Sequence, residues 1–127
     1  MNLQTIINKY ECYVYTPELI VDKKIAYGFC SDLMSDALMI INSVQDDNIL
    51  SQTILITGLA TQQSIRTAEM LDVDVVLLVR GKIPSEKVVR LAYESKIMLI
   101  STKQTMFNMS GKLFQDGIIG ITYNESC

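Results

Sequence analysis

Three short apolar runs constrain this chain more than any other feature: Ile54-Leu55-Ile56, Val75 to Val79, and Ile97 to Ile100. Each is too short for a helix and rich in branched residues, the pattern of strands buried on both faces of a parallel sheet. A polar turn and a helix-like segment follow each run. The first such segment carries Ile65, Ala68 and Leu71; the second carries Val88, Leu91 and Ala92, with Pro84 near its first turn; the third carries Met106, Met109, Leu113 and Phe114. The run centres Ile54, Val76 and Met98 are spaced 22 residues apart. The helical segments share no signature, so the spacing predicts three successive β–α units rather than a solenoid. Right-handed crossovers then place helices against a layered, mostly parallel α/β sheet of about 4–6 strands.

The flanks are less regular. Residues 1–10 read as a short helix with Leu3, Ile6 and Ile7 on one side. Cys12 to Tyr15 reads as a strand ended by Thr16-Pro17, and Lys24 to Cys30 as another. Ser31-Asp32 then offers N-caps for a helix carrying Leu33, Met34, Ala37, Leu38 and Ile41. Asn42 to Asn48 is a polar, acidic break. Gly117 stops the last helix, and Ile118 to Tyr123 predicts a final strand. No linker or composition shift divides the 127 residues, which predicts a single domain over 1–127.

Composition removes several functions. The net charge is −3 with no local Lys/Arg run, which argues against a nucleic-acid partner. There is no histidine, so Ser–His and Cys–His catalysis are unavailable within one chain. Cys12, Cys30 and Cys127 are scattered without a CxxC, and a zinc site would need all three plus a carboxylate. No metal, no cofactor and reduced thiols in a cytoplasmic protein are the expectation. The opening MNLQTIINKYE lacks the pattern of a signal peptide, and no apolar run approaches the ~18 residues of a membrane span. Ser110-Gly111-Lys112-Leu113 and Arg80-Gly81-Lys82-Ile83 both fail as phosphate-binding loops, and no GxGxxG, GxSxG or HExxH occurs. A non-enzyme is therefore expected.

In parallel α/β sheets, ligands bind outside the carboxyl ends of the strands. Those ends carry Ser31-Asp32, Thr57-Gly58, Arg80-Gly81 and Ser101-Thr102. They offer hydroxyls, backbone N–H groups and one guanidinium to a phosphate or carboxylate. Structural roles compete at each position. Gly58 and Gly81 permit tight turns. Ser101 with Gln104 matches a capping box, and Thr61 suits a cap. Arg80 reads alternatively as a solvated charge near a sheet edge. Asp46-Asp47, in a loop, and Asp72/Asp74, at a strand start, read as solvated. The methionines read mostly as core fillers. Tyr10, Tyr13 and Tyr15 read as an edge or a dimer contact, because a base-stacking platform needs basic residues nearby.

The stretch Val75 to Leu113, VVLLVRGKIPSEKVVRLAYESKIMLISTKQTMFNMSGKL, resembles the DRTGG domain. Gly81, Pro84, Thr105 and Phe107 keep parts of that pattern. The upstream GFCSDLMSD, Gly28 to Asp36, resembles the family's Gly-x-x-Ser-Asp-Leu segment. The resemblance spans roughly residues 1–116. It implies a fold similar to the N-terminal domain of HPr kinase/phosphorylase and, more distantly, to those of Mur ligases. It also implies a regulatory or ligand-sensing role without catalysis. The signature itself is altered: Leu59-Ala60 stand where Asp-Arg would fall, and Val79-Arg80-Gly81 where Thr-Gly-Gly would. Two functions remain open on these residues. One is the sensing of a nucleotide or other anionic metabolite at the strand ends. The other is a protein-interaction module, as a homodimer or accessory subunit.

Overall fold

A computed structural model describes residues 1–42, 44 and 46–121 of the chain. In chain order the elements are α1 (Leu3–Lys9), β1 (Tyr13–Val14), a 3-10 turn (Pro17–Leu19), β2 (Tyr27–Cys30), α2 (Met34–Asn42), α3 (Asp47–Leu50), β3 (Thr53–Thr57), α4 (Gln62–Met70), β4 (Val75–Leu78), α5 (Glu86–Ser95), β5 (Met98–Ser101), α6 (Met106–Gln115) and β6 (Ile119–Gly120). The six strands form one sheet in the order β1-β5-β4-β3-β2-β6. Strands β2 to β6 run parallel to their neighbours, and β1 pairs antiparallel with β5. This is the layered, mostly parallel α/β sheet that the apolar runs predict.

The runs are continuous because both faces of the central strands are covered. Leu55, Val76, Leu78 and Leu99 pack with Ala37 of α2, Ile65 and Ala68 of α4, and Val88 and Leu91 of α5. The alternate residues Ile54, Ile56, Val75, Leu77, Met98 and Ile100 pack with Leu3 and Ile6 of α1 and Met109 and Leu113 of α6. The period-2 alternation of a strand thus feeds two separate apolar layers.

Several local readings need correction. The strand predicted from Lys24 begins only at Tyr27, and Lys24 itself makes an isolated antiparallel bridge to Asn2. The final strand is confined to Ile119–Gly120; positions 122 and 123 of the predicted strand lie outside the described residues, as does Cys127. The Ile41 side chain likewise falls outside them. Pro84 precedes α5, whose N-cap is Ser85. Asp46 is not a loose loop charge: its carboxylate accepts from Asn48 N at 2.9 Å and caps α3. Met34, Met98 and Met109 are core residues, but Met39 and Met70 are exposed.

Candidate functional site

The carboxyl ends of β2, β3, β4 and β5 meet on one edge of the sheet. At the end of β3, Thr57 is fully buried. Its hydroxyl donates to Asp32 Oδ1 (3.3 Å) and accepts from Leu59 N (3.1 Å). The same Asp32 oxygen accepts from Gly58 N at 2.6 Å. Asp32 is therefore committed to β3 and is not the N-cap of α2. Ser31 does not cap it either: its Oγ accepts from Leu33 N and donates to Leu33 O, a local turn. The first intrahelical bond is accepted by the Leu33 carbonyl, from Ala37 N at 3.2 Å.

After β4 the chain makes a tight reversal at Arg80-Gly81, with φ of +62° and +64°. Two consecutive left-handed residues are the mark of a type I′ turn, and Lys82 N closes it on Val79 O at 3.4 Å. A left-handed arginine costs roughly 1–2 kcal/mol. Backbone bonds to the β5–α6 loop hold it there: Arg80 N donates to Gln104 O (2.8 Å), and Gly81 N to Thr102 O (2.9 Å). β4 is an interior strand, so Arg80 is not at a sheet edge as the sequence reading suggests. Its side chain turns back over β3. A Cβ at Gly58 would run into Arg80 Nη2 and stand 3.0 Å from Cζ and 3.2 Å from Asp32 Oδ1. The missing side chain at Gly58 is the seat of the guanidinium. Among the described residues the ion pairs are Lys9–Asp116 and Lys23–Asp74, and Arg80 takes part in neither.

The predicted site residues thus divide. Asp32, Thr57, Gly58 and Arg80 converge into one polar cluster. Gly81, Ser101 and Thr102 line a neighbouring cavity of about 430 Å³. Ser31 is spent on its own turn. The expected capping box at Ser101 is absent: Ser101 ends β5, and α6 is capped by Thr105, whose Oγ1 accepts from Asn108 N at 3.2 Å. Thr61 does cap α4, through Ser64 N at 3.2 Å. The sequence reading misses that Tyr13, Tyr15 and Lys103 share the cavity with Ser101. The alternation of tyrosines was the available signal. Tyr10 is separate; its hydroxyl donates to Asp116, just after α6.

A second cavity, about 300 Å³, lies between the β2–β6 edge and α6 and is largely apolar, with Cys30 and Ser110 as its polar members. Their Sγ and Oγ atoms are 2.9 Å apart. Burial raises the Cys30 thiol pKa, Ser110 opposes this, and Asp32 adds to it. Cys12 is pushed up to about 11 by burial alone. Neither thiol sits in the electropositive setting that makes a nucleophile. Among the described residues no three His, Cys, Asp or Glu side chains gather as metal ligands. Among the described residues no helix is long and apolar enough to cross a membrane.

Fold and edge together define a layered, mostly parallel α/β protein with a polar cluster at the strand ends. A solved structure gives that class its concrete counterpart: the CBS and DRTGG domains of the regulatory region of Clostridium perfringens pyrophosphatase, complexed with its activator diadenosine tetraphosphate. The match has a TM-score of 0.61 at 17% identity and covers 98% of this chain and 52% of that one. This chain therefore spans about half the length of its counterpart. No family model and no curated protein sequence matches it.

Proposed function

We propose that this chain is a non-catalytic, ligand-sensing domain that takes a nucleotide or another anionic metabolite at the carboxyl edge of its sheet. The observation that carries this reading is Arg80. A cation is held in a left-handed turn, seated on a glycine and outside salt-bridge distance of a carboxylate among the described residues, with Asp32 at the same seat. Strained backbone that fixes a charge at a strand end is stored where a ligand uses it. The pyrophosphatase regulatory region, whose solved form holds a dinucleoside polyphosphate, supports the reading by its shared fold. A regulatory setting in the cytoplasm fits the free thiols Cys12 and Cys30. Isothermal titration with ATP and with tripolyphosphate tests it. Saturable binding that Arg80→Gln abolishes is the expected result, and no heat from either anion at millimolar concentration defeats the reading.

A second reading, self-association, has its own observation. Helix α6 exposes Phe107 and Phe114, at 87% and 73%, on either side of Gly111. Residues at these positions lie on one helical face, and the glycine lets another backbone approach. Light scattering after size exclusion separates the two: a dimer that Phe107→Ser dissolves supports self-association, and a monomer at all concentrations removes it.

A further inference from the structure

Tyrosines on an edge strand suit base stacking only when cations stand nearby, and the fold supplies them. β1 lies antiparallel against β5 with Tyr13 opposite Ser101. Directly opposed residues on paired strands project to the same face, so Tyr13 and Ser101 look into one space. Tyr15, two residues on, shares that face. The two rings lie 4.7 Å apart, tilted by 56°. Tyr13 is 64% exposed, leaving an aromatic surface open to solvent. The opposite wall is the Gly81 side of the left-handed turn, and Lys103 stands beside it. The cavity volume of about 430 Å³ lies in the range of small-ligand sites.

We infer that this cavity receives the base of a nucleotide, stacked on Tyr13, while the phosphates run across the Arg80-Gly81 turn to the guanidinium above Gly58. The inference rests on the anion-binding reading above and adds to it a direction and a ligand class. The direction follows from charge. Glu11 and Lys103 both line the cavity and offset each other, which leaves Arg80, across the turn and beside Asp32, as a further cation for the anionic end. The base on β1 and the guanidinium above the end of β3 are three strand spacings apart, about 14 Å, with the Arg80-Gly81 turn between them. Ser101, which the cluster at Gly58 leaves unused, gains a role as the polar floor beneath base and ribose, while the Thr102 hydroxyl accepts from Gln104 N at 3.3 Å.

Titration of ATP and of tripolyphosphate into the wild-type chain and into Tyr13→Thr and Tyr13→Phe tests the inference. Threonine keeps the strand preference and removes the ring; phenylalanine keeps the stack. ATP is expected to bind more tightly than tripolyphosphate. Tyr13→Thr is expected to weaken ATP about 5- to 150-fold, the range for one base stacked on one aromatic ring. It should leave tripolyphosphate unchanged, and Tyr13→Phe should bind ATP as wild type does. Equal affinities for ATP and tripolyphosphate would overturn the base site and leave the anion site standing. Equal weakening of both ligands by Tyr13→Thr would also overturn it, since the ring would then be acting on the fold. Binding of neither ligand would remove the anion site, and this inference with it.

Discussion

Gly58→Ala is the sharpest probe of the strand-end cluster, because it moves the guanidinium without touching it. The φ of Gly58 lies outside the left-handed region, so the backbone accepts alanine. The new methyl group meets the Arg80 guanidinium, 3.0 Å from Cζ, and comes to 3.2 Å from Asp32 Oδ1. The carboxylate is anchored by the Gly58 and Thr57 bonds. The guanidinium is the free end of a long side chain, so it is the group that swings away. Replacing glycine by alanine stabilises through the unfolded chain by about 0.4–1 kcal/mol, which offsets the displaced contact. Folding stability should therefore stay within about 1 kcal/mol of wild type. Binding should not. A charge-assisted hydrogen bond contributes about 1.5–3 kcal/mol, so losing its geometry weakens tripolyphosphate about 10- to 150-fold. Calorimetric titration at low salt measures the affinity, and urea denaturation measures the stability. A Gly58→Ala protein that binds within about 2-fold of wild type would refute the role given to the seat of Arg80.

Other substitutions and conditions test other parts of the structure. Arg80→Gly removes the left-handed penalty of roughly 1–2 kcal/mol, less the entropy glycine adds to the unfolded chain; its urea midpoint should hold or rise while anion binding is lost, and a clear fall in midpoint would show that Arg80 serves stability. Thr16→Val deletes the buried hydroxyl that accepts from Leu99 N at 3.0 Å; the orphaned N–H should cost about 1–3 kcal/mol in urea denaturation, and no change would mean that β1 contributes little. Asp116 has its pKa lowered from 3.8, first by the hydrogen bond from Lys9 and then by that from Tyr10. Its contribution is present above the ordinary carboxylate pKa and is lost as pH falls through the lower folded value. Melting temperature should fall more steeply below pH 3.8 in wild type than in Asp116→Asn, and parallel acid limbs would contradict this. Cys12, raised to about 11, should resist disulfide reagents at neutral pH until the chain unfolds, as peptide mapping of labelled protein will read.

The parallel core is legible in the sequence because strands covered on both faces must be apolar at every position, and Ile54 to Ile56 or Val75 to Leu78 can be little else. The rim is not. Ser101 and Gln104 satisfy the capping-box pattern, but β5 runs through Ser101 and the N-cap comes four residues later, where Thr105 accepts from Asn108 N. A pattern of side chains cannot say which of two hydroxyls four residues apart stands at the helix start. The left-handed Arg80 has no local signal either, since asparagine or glycine is the usual occupant. Bonds from Gln104 and Thr102, far along the chain, impose it. The four residues that converge are each found at a strand end by topology alone. Their partition into a cluster and a cavity depends on side-chain reach. The cavity itself needs β1 beside β5, a pairing between remote segments that no periodicity announces.

That pairing also bears on how the domain opens. Strands β2 to β5 each lie beside the next in sequence, so they assemble by short-range docking. β1 and β6 join the two outer edges only after segments from opposite ends of the chain meet. Long closures are entropically costly and come late, and short edge strands with few bonds are where local opening begins. The rim bearing Tyr13 and Tyr15 is then the domain's most weakly held unit, with amide protons that exchange ahead of those in β3 and β4. A ligand reaching from that rim to Arg80 would fasten a loose border strand to the rigid interior. Occupancy would be read as slowed exchange along β1, a mechanical signal in place of a chemical one.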